Sequence, residues 1–395
     1  ESCPMCGIVG LLSGLARDRF EADEVVRLMV LALRHRGPDD SGTWHDREAG
    51  IAFGHQRLAV LDLSPAGHQP MTSANGRYVI AFNGEIYNHL DLRDDLRTSG
   101  SVTAWRGHSD TESLLAAFEE WGVDETLSRL VGMFAIALWD RAENTLYLAR
   151  DRFGEKPLYY GWVRGAFAFA SELKALKAYP GFDNPVSRKA LTQYLRYVYV
   201  PAPWSIYKGI FKLEPGCVLQ IKGGVKLPVP AEPMRPPAKL GDISLNRWWA
   251  LSDVVESGAR SQFLDEGEAL GELEARLKSA VKDQSLADVP LGAFLSGGVD
   301  SSAIVAMLQQ QVSRPVRTFT VGFEEAGFDE SGHARAVARH LGTDHTELFV
   351  TSAESRAVIP HLPRMYDEPF GDSSQIPTHL VCKAARQHVI VALSG

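Results

Sequence analysis

Cys6 stands at the mouth of an apolar run, Gly7-Ile8-Val9-Gly10-Leu11-Leu12, near the start of the chain. A cysteine in that position can serve as an amino-terminal nucleophile. If the chain begins at Cys6, one residue supplies a thiol with pKa near 8.5 and a free α-amine with pKa about 7.7–8.0, hence both nucleophile and base. Residues Glu1 to Met5 stand in front of it in this sequence. While they remain, the nitrogen of Cys6 is an amide, so an active Cys6 is expected only after their removal. Cys3 and Cys6 also form a Cys-x-x-Cys pair. A metal or redox motif would need a second ligand pair or a βαβ setting, and neither accompanies it.

Three short runs describe a substrate for such a thiol. Arg57, in His55-Gln56-Arg57-Leu58-Ala59-Val60-Leu61-Asp62, can grip an α-carboxylate as a bidentate pair. Glu85, in Asn83-Gly84-Glu85-Ile86-Tyr87-Asn88, and Asp110, in Ser109-Asp110-Thr111-Glu112, can take an α-ammonium. The Asn83 side chain and the Gly84 N–H can stabilise the oxyanion formed when a thiolate attacks an amide. Singly, these are a solvated arginine, an Asn-Gly turn and a helix N-cap. Together behind Cys6 they suit a free amino acid that carries a side-chain amide.

A second site is written in Ser296-Gly297-Gly298-Val299-Asp300-Ser301-Ser302, between a short apolar strand and a helix. Glycines let the backbone approach a ligand closely, and helix-start amides with serine hydroxyls form an anion cradle. Asp300 is electrostatically misplaced there unless a cation bridges it to phosphate, so it predicts Mg²⁺. The lysine of a Gly-Lys-Ser/Thr phosphate loop is absent, which suits a departing pyrophosphate better than transfer of a γ-phosphate.

The elements that must position these sites fall into three stretches. In residues 6–180, strands are predicted over Gly7–Leu12, Ile51–Leu61, Tyr78–Phe82, Met133–Trp139, Thr145–Ala149 and Ala166–Ala170, with helices over Glu24–Leu33 and Thr111–Trp121. That mixture predicts a layered α+β domain with its sheets in the middle. Residues 181–265 are punctuated by Pro201, Pro203, Pro215, Pro228, Pro230, Pro233, Pro236 and Pro237 and read as a connector with a few short strands. Residues 266–395 alternate helix and strand, which implies a parallel α/β sheet. Gly395 follows the last strand, at an edge where such sheets bind ligands. The 395 residues allow two or three domains, and 45% hydrophobic with 23% charged residues is ordinary for a soluble globular protein. A net charge of −8 argues against a nucleic-acid platform, and no apolar run approaches the ~18 residues of a membrane span. Four scattered cysteines and no signal peptide fit a reduced cytoplasm.

Residues 5–175 resemble the class II, N-terminal-nucleophile glutaminase domain. Arg34-His35-Arg36-Gly37-Pro38-Asp39-Asp40 and Arg150-Asp151-Arg152-Phe153-Gly154-Glu155-Lys156-Pro157-Leu158-Tyr159-Tyr160 are similar to runs of that domain in asparagine synthetases. Ser296–Ser302 resembles the pyrophosphate loop of the ATP-pyrophosphatase superfamily. Phe328-Asp329-Glu330, Leu341-Gly342-Thr343-Asp344-His345, Asp367-Glu368-Pro369-Phe370-Gly371-Asp372-Ser373-Ser374 and Leu393-Ser394-Gly395 resemble the elements that follow it in the asparagine-synthetase branch. The resemblance implies a four-layer αββα sandwich over 6–180, then an α/β synthetase domain over 266–395. It implies a glutamine pocket made by Arg57, Leu58, Ala59, Val60, Leu61, Asn83, Gly84, Glu85 and Asp110. It implies nucleotide contacts by Phe294, Leu295, Val321, Ser394 and Gly395 beside the loop 296–302. In the family the last run continues into an acidic, Gly-rich loop with a second Mg²⁺ ligand and a helical segment bearing much of the acceptor pocket. The domain 266–395 is therefore expected to be incomplete.

The implied activity is a glutamine-dependent amidotransferase. Cys6 hydrolyses glutamine, MgATP adenylates a carboxylate, aspartate first among candidates, and ammonia displaces AMP. Ammonia needs a shielded route, because in water at pH 7 it is mostly ammonium. Partners are small molecules, with neither nucleic acid nor membrane, and a homodimer is compatible with the resemblance. The same chemistry on a sugar uronic acid is a second reading, and a non-catalytic relative or a cyclase of the β-lactam synthetase kind a third. Retention of Cys6, Arg57, Asn83 and Asp110 argues against the cyclase, which has no use for a glutamine pocket.

Overall fold

The computed structural model describes residues 5–13, 21–102, 104–225, 227–323 and 331–395. Phe328-Asp329-Glu330 lies outside them. The chain divides into two compact units. An amino-terminal unit runs from residue 5 to Val254 and takes in Tyr366–Gly371, and a carboxy-terminal unit comprises Val255–Met365 and Asp372–Gly395.

Strand alternation builds the amino-terminal unit, because successive side chains point to opposite faces of a sheet. One antiparallel sheet runs in the order Ile210–Lys212, Tyr159–Val163, Ala166–Ala170, Gly7–Leu12, Ile51–Arg57, Asp40–Asp46. A second runs Ala238–Leu240, Ile243–Arg247, Cys217–Lys222, Thr145–Arg150, Gly132–Asp140, Tyr78–Ile86, Met71–Thr72. Ile8, Leu12, Ile51 and Phe53 of the first meet Val79, Ala81, Ala135 and Ala137 of the second in the central core. Val9, Leu11 and Ala52, on the opposite face, pack on Val26, Met29 and Val30 of helix Glu21–Ala32 and Leu176 of helix Leu173–Lys177. Ile80, Phe82 and Ile136 pack on Leu92 of helix His89–Thr98 and Leu114, Leu115 and Phe118 of helix Asp110–Arg129. The layers are therefore helix, sheet, sheet, helix, as expected. Gly10 has to lack a side chain, since a Cβ there would lie 2.3 Å from the Phe169 ring.

Several stretches differ from the sequence expectation. The strand expected over Tyr78–Phe82 runs on to Ile86, which puts Asn83–Glu85 inside it, and helices His89–Thr98 and Leu173–Lys177 and strands Asp40–Asp46 and Tyr159–Val163 were not expected. The strand predicted over Ile51–Leu61 ends at Arg57, and Leu58–Leu61 turn away as a loop. Residues 181–265 hold more than a connector. Ile210–Lys212 extends the first sheet, while Cys217–Lys222, Ala238–Leu240 and Ile243–Arg247 extend the second. The eight prolines fall between these strands and never within one, which leaves every ladder its donors.

The carboxy-terminal unit holds a parallel sheet in the order Asp344–Val350, Arg317–Phe323, Leu291–Phe294, Val391–Leu393. In sequence order this is third, second, first, fourth. Direction along the sheet reverses between the first and fourth strands, and the crevice at their carboxyl ends is where doubly wound sheets bind ligands. No helix among the described residues is long and apolar enough to cross a membrane.

Candidate active sites

Cys6 immediately precedes its strand, and its sulfur lies between two groups of Leu58. The Leu58 N–H points at Sγ at 3.4 Å, and Sγ–H points at the Leu58 carbonyl at 3.5 Å. Burial pushes the thiol pKa up, against the Leu58 backbone and the charges of Lys156, Arg36 and Arg57. Arg36 Nε donates to the Cys6 carbonyl at 2.8 Å. Ser171 grips Ile8 in both directions, accepting from its N–H at 3.0 Å and donating to its carbonyl at 2.9 Å. The nucleophile is thus fixed through its backbone as well as its sulfur.

Arg57 is 7% exposed, and its guanidinium turns back on its own loop. It donates to the carbonyls of Leu61, Asp62 and Ser64 at 3.2, 2.5 and 3.3 Å. Those bonds hold Leu58–Leu61 beside Cys6, so Arg57 shapes the rim of the site instead of presenting an open fork. Leu58 is buried, and Ala59, Val60 and Leu61 are half-buried along that rim. Asp62 then accepts from the N–H of His108 at 2.8 Å, which ties the loop to the segment preceding Asp110.

The Asn83 strand supplies the next groups. Asn83 is 1% exposed, and its Nδ2 has no hydrogen-bond partner among the described residues. Leaving a buried donor unpaired costs about 1–3 kcal/mol, so such atoms call for an explanation. Gly84 lies against the neighbouring strand so closely that a Cβ would sit 2.2 Å from the Met133 carbonyl. Asp110, at the start of its helix, accepts from Ile86 N–H at 2.9 Å, and burial raises its pKa. Glu85 is pushed up to about 7, by burial first and by the charge of Asp110 second, with Lys156 opposing. Asn83, Gly84 and Glu85 thus lie together within strand Tyr78–Ile86 of the second sheet, tied to the Asp110 helix start by the Ile86 bond, while Cys6 leads into a strand of the first sheet and Lys156 feels the charges of both Glu85 and Cys6.

Lys156 was not singled out from the sequence. Asp151 is fully buried and accepts from the N–H groups of Phe134, Phe153, Glu155 and Lys156 at 2.9–3.1 Å. That staple turns Lys156 inward, where it is 7% exposed and its Nζ lies 3.3 Å from Met5 Sδ. Burial lowers its pKa, with Glu85 opposing and Arg36 adding to the fall. The run 150–160, which carries the family resemblance, was the only sequence signal, since the burial of Lys156 is visible only in the structure.

In the carboxy-terminal unit, the loop after Leu291–Phe294 is self-supporting. Ser301 Oγ accepts from Ser296 N–H at 3.2 Å and lies 2.9 Å from Ser296 Oγ, which in turn accepts from Gly298 N–H at 3.3 Å. Gly297 has φ +82°, and a Cβ there would sit 2.7 Å from the Ala334 nitrogen. Gly298 caps helix Val299–Gln311, and Asp300 lies exposed in its first turn. Ser302 Oγ is buried without a partner among the described residues. A cavity of about 340 Å³ opens here, lined by Phe294, Leu295, Ser296, Ser301, Phe319, Thr320, Val321, Pro377, Thr378, Val381, Ser394 and Gly395. Every nucleotide contact expected from outside the loop 296–302 lines it. Of the loop itself only Ser296 and Ser301 line it, and Gly297, Gly298, Val299, Asp300 and Ser302 lie beyond its lining. No three His, Cys, Asp or Glu side chains cluster as metal ligands among the described residues.

Comparison with known proteins agrees with both halves. The glutamine amidotransferase domain family matches residues 5–227, and the asparagine synthase family matches residues 272–395. A provisionally named glutamine-hydrolysing asparagine synthetase of Mycobacterium tuberculosis is 38% identical over 406 aligned residues, covering 99% of this chain and 59% of that protein. Glutamine-hydrolysing asparagine synthetase 1 of Bacillus subtilis is 35% identical, covering 99% of this chain and 57% of that protein. The chain therefore spans less than three fifths of the length of these relatives. Among solved structures, glutamine phosphoribosylpyrophosphate amidotransferase from B. subtilis aligns over 87% of this chain and 65% of that one, at 17% identity and a TM-score of 0.43. The chain belongs to the glutamine-hydrolysing asparagine synthetase family, with a glutamine amidotransferase domain followed by an asparagine synthase domain.

Proposed function

We propose that this chain carries the glutaminase and nucleotide-binding parts of a glutamine-dependent amidotransferase that makes asparagine. The observation that carries the reading is the Cys6 sulfur, bracketed by Leu58 and bathed in the charges of Lys156, Arg36 and Arg57, with the unpaired Asn83 amide on a strand of the other sheet of the same sandwich. Once Cys6 is the first residue, its α-amine takes the thiol proton and the sulfur attacks the side-chain amide of glutamine. Asn83 Nδ2 and Gly84 N–H receive the oxyanion. Glu85 and Asp110 take the α-ammonium. Arg57 supports the α-carboxylate end of the pocket through the loop it holds, Leu58–Leu61. Ammonia leaves, and water releases glutamate.

At the second site the loop 296–302 cradles the pyrophosphate of ATP, and Phe294, Leu295, Val321, Ser394 and Gly395 contact adenine and ribose. Asp300 and the unpaired Ser302 hydroxyl suit a Mg²⁺ ion brought in with the nucleotide, since Mg²⁺ is commonly held by one or two carboxylates plus phosphates. When bound, that ion neutralises phosphate charge. Adenylation of the aspartate side chain, followed by attack of ammonia, yields asparagine, AMP and pyrophosphate. The setting is cytoplasmic.

The test pairs glutamine hydrolysis with ATP–pyrophosphate exchange in the full-length protein. A chain beginning at Cys6 should release glutamate, and a chain retaining Met5 should release little. Full turnover by the unprocessed chain would refute the α-amine role. Exchange supported by a uronic acid and not by aspartate would sink the asparagine reading.

A further inference from the structure

Six residues of the asparagine synthase sequence, Tyr366–Gly371, belong to the amino-terminal unit, although their neighbours on both sides belong to the other. Their attachment is specific. Glu368 accepts from the Ile206 N–H at 2.7 Å and from the Tyr159 hydroxyl at 3.3 Å, and forms an ion pair with Lys212. Gly371 N–H donates at 2.8 Å to the carbonyl of Val198, a β-branched residue held at φ +64°. Left-handed backbone at such a residue costs of order 1–3 kcal/mol and persists only where surrounding contacts enforce it.

Asp367 is the informative member. Its Oδ2 accepts from the backbone N–H of Lys174 at 3.0 Å, and its Oδ1 lies 3.4 Å from Lys174 Nζ. Lys174 is the second residue of helix Leu173–Lys177, whose N-cap is Glu172. An N-cap side chain ordinarily accepts from such a donor itself. The Glu172 side chain makes no cap bond. It faces away instead, taking Arg36 Nη1 at 2.6 Å, His35 Nε2 at 3.0 Å and Lys174 Nζ at 2.5 Å. Burial pushes the Glu172 carboxyl up. The His35 hydrogen bond and the charges of Arg36 and Lys174 outweigh that and hold it well below the usual carboxylate range. Arg36 in turn holds the Cys6 carbonyl, and Ser171, beside Glu172, holds Ile8.

We propose that Asp367 is a positioning residue for the Cys6 nucleophile. By capping helix Leu173–Lys177 from a distant part of the chain, it frees Glu172 to hold Arg36 on the Cys6 carbonyl. Without it, the Glu172 carboxylate and the orphaned Lys174 N–H lie within one turn of each other, and capping competes with the Arg36 bond. The proposal rests on the glutaminase reading for its kinetic consequence and stands apart from it for its structural one.

The experiment compares Asp367→Ala, Asp367→Asn, Glu172→Gln and the Asp367→Ala/Glu172→Gln double variant in the full-length protein. Glutamine kcat and KM are measured alongside amide hydrogen exchange at Ile8. Asp367→Ala should lower kcat by about tenfold or more with KM within about twofold, since small misplacements of a nucleophile cost rate more than binding. It should also speed exchange at Ile8. Asp367→Asn keeps a cap oxygen and should recover most of both losses. The double variant should resemble Glu172→Gln alone, because the two act in series. If Asp367→Ala does not fold, Asp367→Ser, too short to reach Lys174, takes its place. Unchanged kcat and exchange in the Asp367 variants would overturn the proposal, as would multiplicative losses in the double variant. A wild-type protein that hydrolyses no glutamine while Asp367→Ala still speeds Ile8 exchange would refute the glutaminase reading and support the positioning role.

Discussion

Replacing Asn83 by leucine should separate activity from stability. The side chain is 1% exposed, its Nδ2 has no partner among the described residues, and it sits on a strand whose neighbours at that level are Ala135 and the Gly84–Phe134 pair. In the resting protein that donor costs about 1–3 kcal/mol of desolvation with nothing returned. A leucine of similar volume removes the penalty, so the melting temperature should hold or rise. If Nδ2 receives the oxyanion, its loss removes a bond made chiefly in the transition state. Deleting one such donor typically lowers kcat by about 10²–10³. KM for glutamine should then move less than about threefold, because ground-state contacts survive. The assay is steady-state glutamate release by the Cys6-initiated chain, with a thermal melt of the same sample. A kcat within about threefold of wild type would refute the oxyanion role. A kcat loss that follows a fall in melting temperature would reduce Asn83 to a packing residue.

Three further outcomes follow from the same geometry. His55 is buried with its Nε2 bonded to the Phe82 carbonyl, and burial lowers its pKa from an ordinary 6.5 to about 4, so it favours unfolding as pH falls from 6.5 toward 4. Glu85, raised from 4.5 to about 7, has the opposite sign, losing stability as pH rises through that range. Each term is on the order of 3 kcal/mol, so Glu85→Gln should steepen the acid limb of denaturant-measured stability and His55→Gln should flatten it; parallel profiles would refute the assignment. Glu85→Gln should also make the fall of kcat/KM for glutamine below about pH 7 shallower, leaving the limb set by the Cys6 α-amine, measured by glutamate release. Gly297→Ala, forced to φ +82° and against the Ala334 nitrogen, should destabilise the carboxy-terminal unit by about 1–3 kcal/mol and abolish ATP–pyrophosphate exchange while glutaminase activity persists.

The parts legible in the sequence were those whose signal lies in consecutive residues. The loop 296–302 declares its glycines, serines and aspartate in one run, whereas period locates only the strand ends nearby, and the residues Phe294, Val321 and Ser394 that line the cavity there came from the family resemblance. Cys6, Asn83 and Asp110 could be named because each opens or closes an apolar element. Arg57 could be named but its use could not, since nothing in the spacing says that its guanidinium folds back onto Leu61, Asp62 and Ser64. Lys156 depends on four backbone bonds to Asp151, a tertiary fact hidden in a charged run. The strands between 210 and 247 were obscured because three- to six-residue ladders separated by prolines have too short a period to read. Glu172 and Asp367 meet across 195 positions of sequence only through Lys174, beyond any local pattern.

The segment Tyr366–Gly371 has a practical bearing on dissection of the chain. A gene trimmed after Val254 looks like a tidy way to obtain the glutaminase alone, yet it discards Glu368. Lys212, whose side chain is 16% exposed, would keep the Val200 carbonyl at 2.5 Å and lose its counter-charge. Removing one partner from a buried ion pair costs about 3–5 kcal/mol, a large share of what a domain of this size has to spare. A faithful fragment would have to graft the six residues back, by a linker or as a separate peptide. The spatial boundary of this unit is therefore not a point on the gene but two intervals, and cloning by linear domain limits would yield a weakened protein whose poor activity says little about its active site.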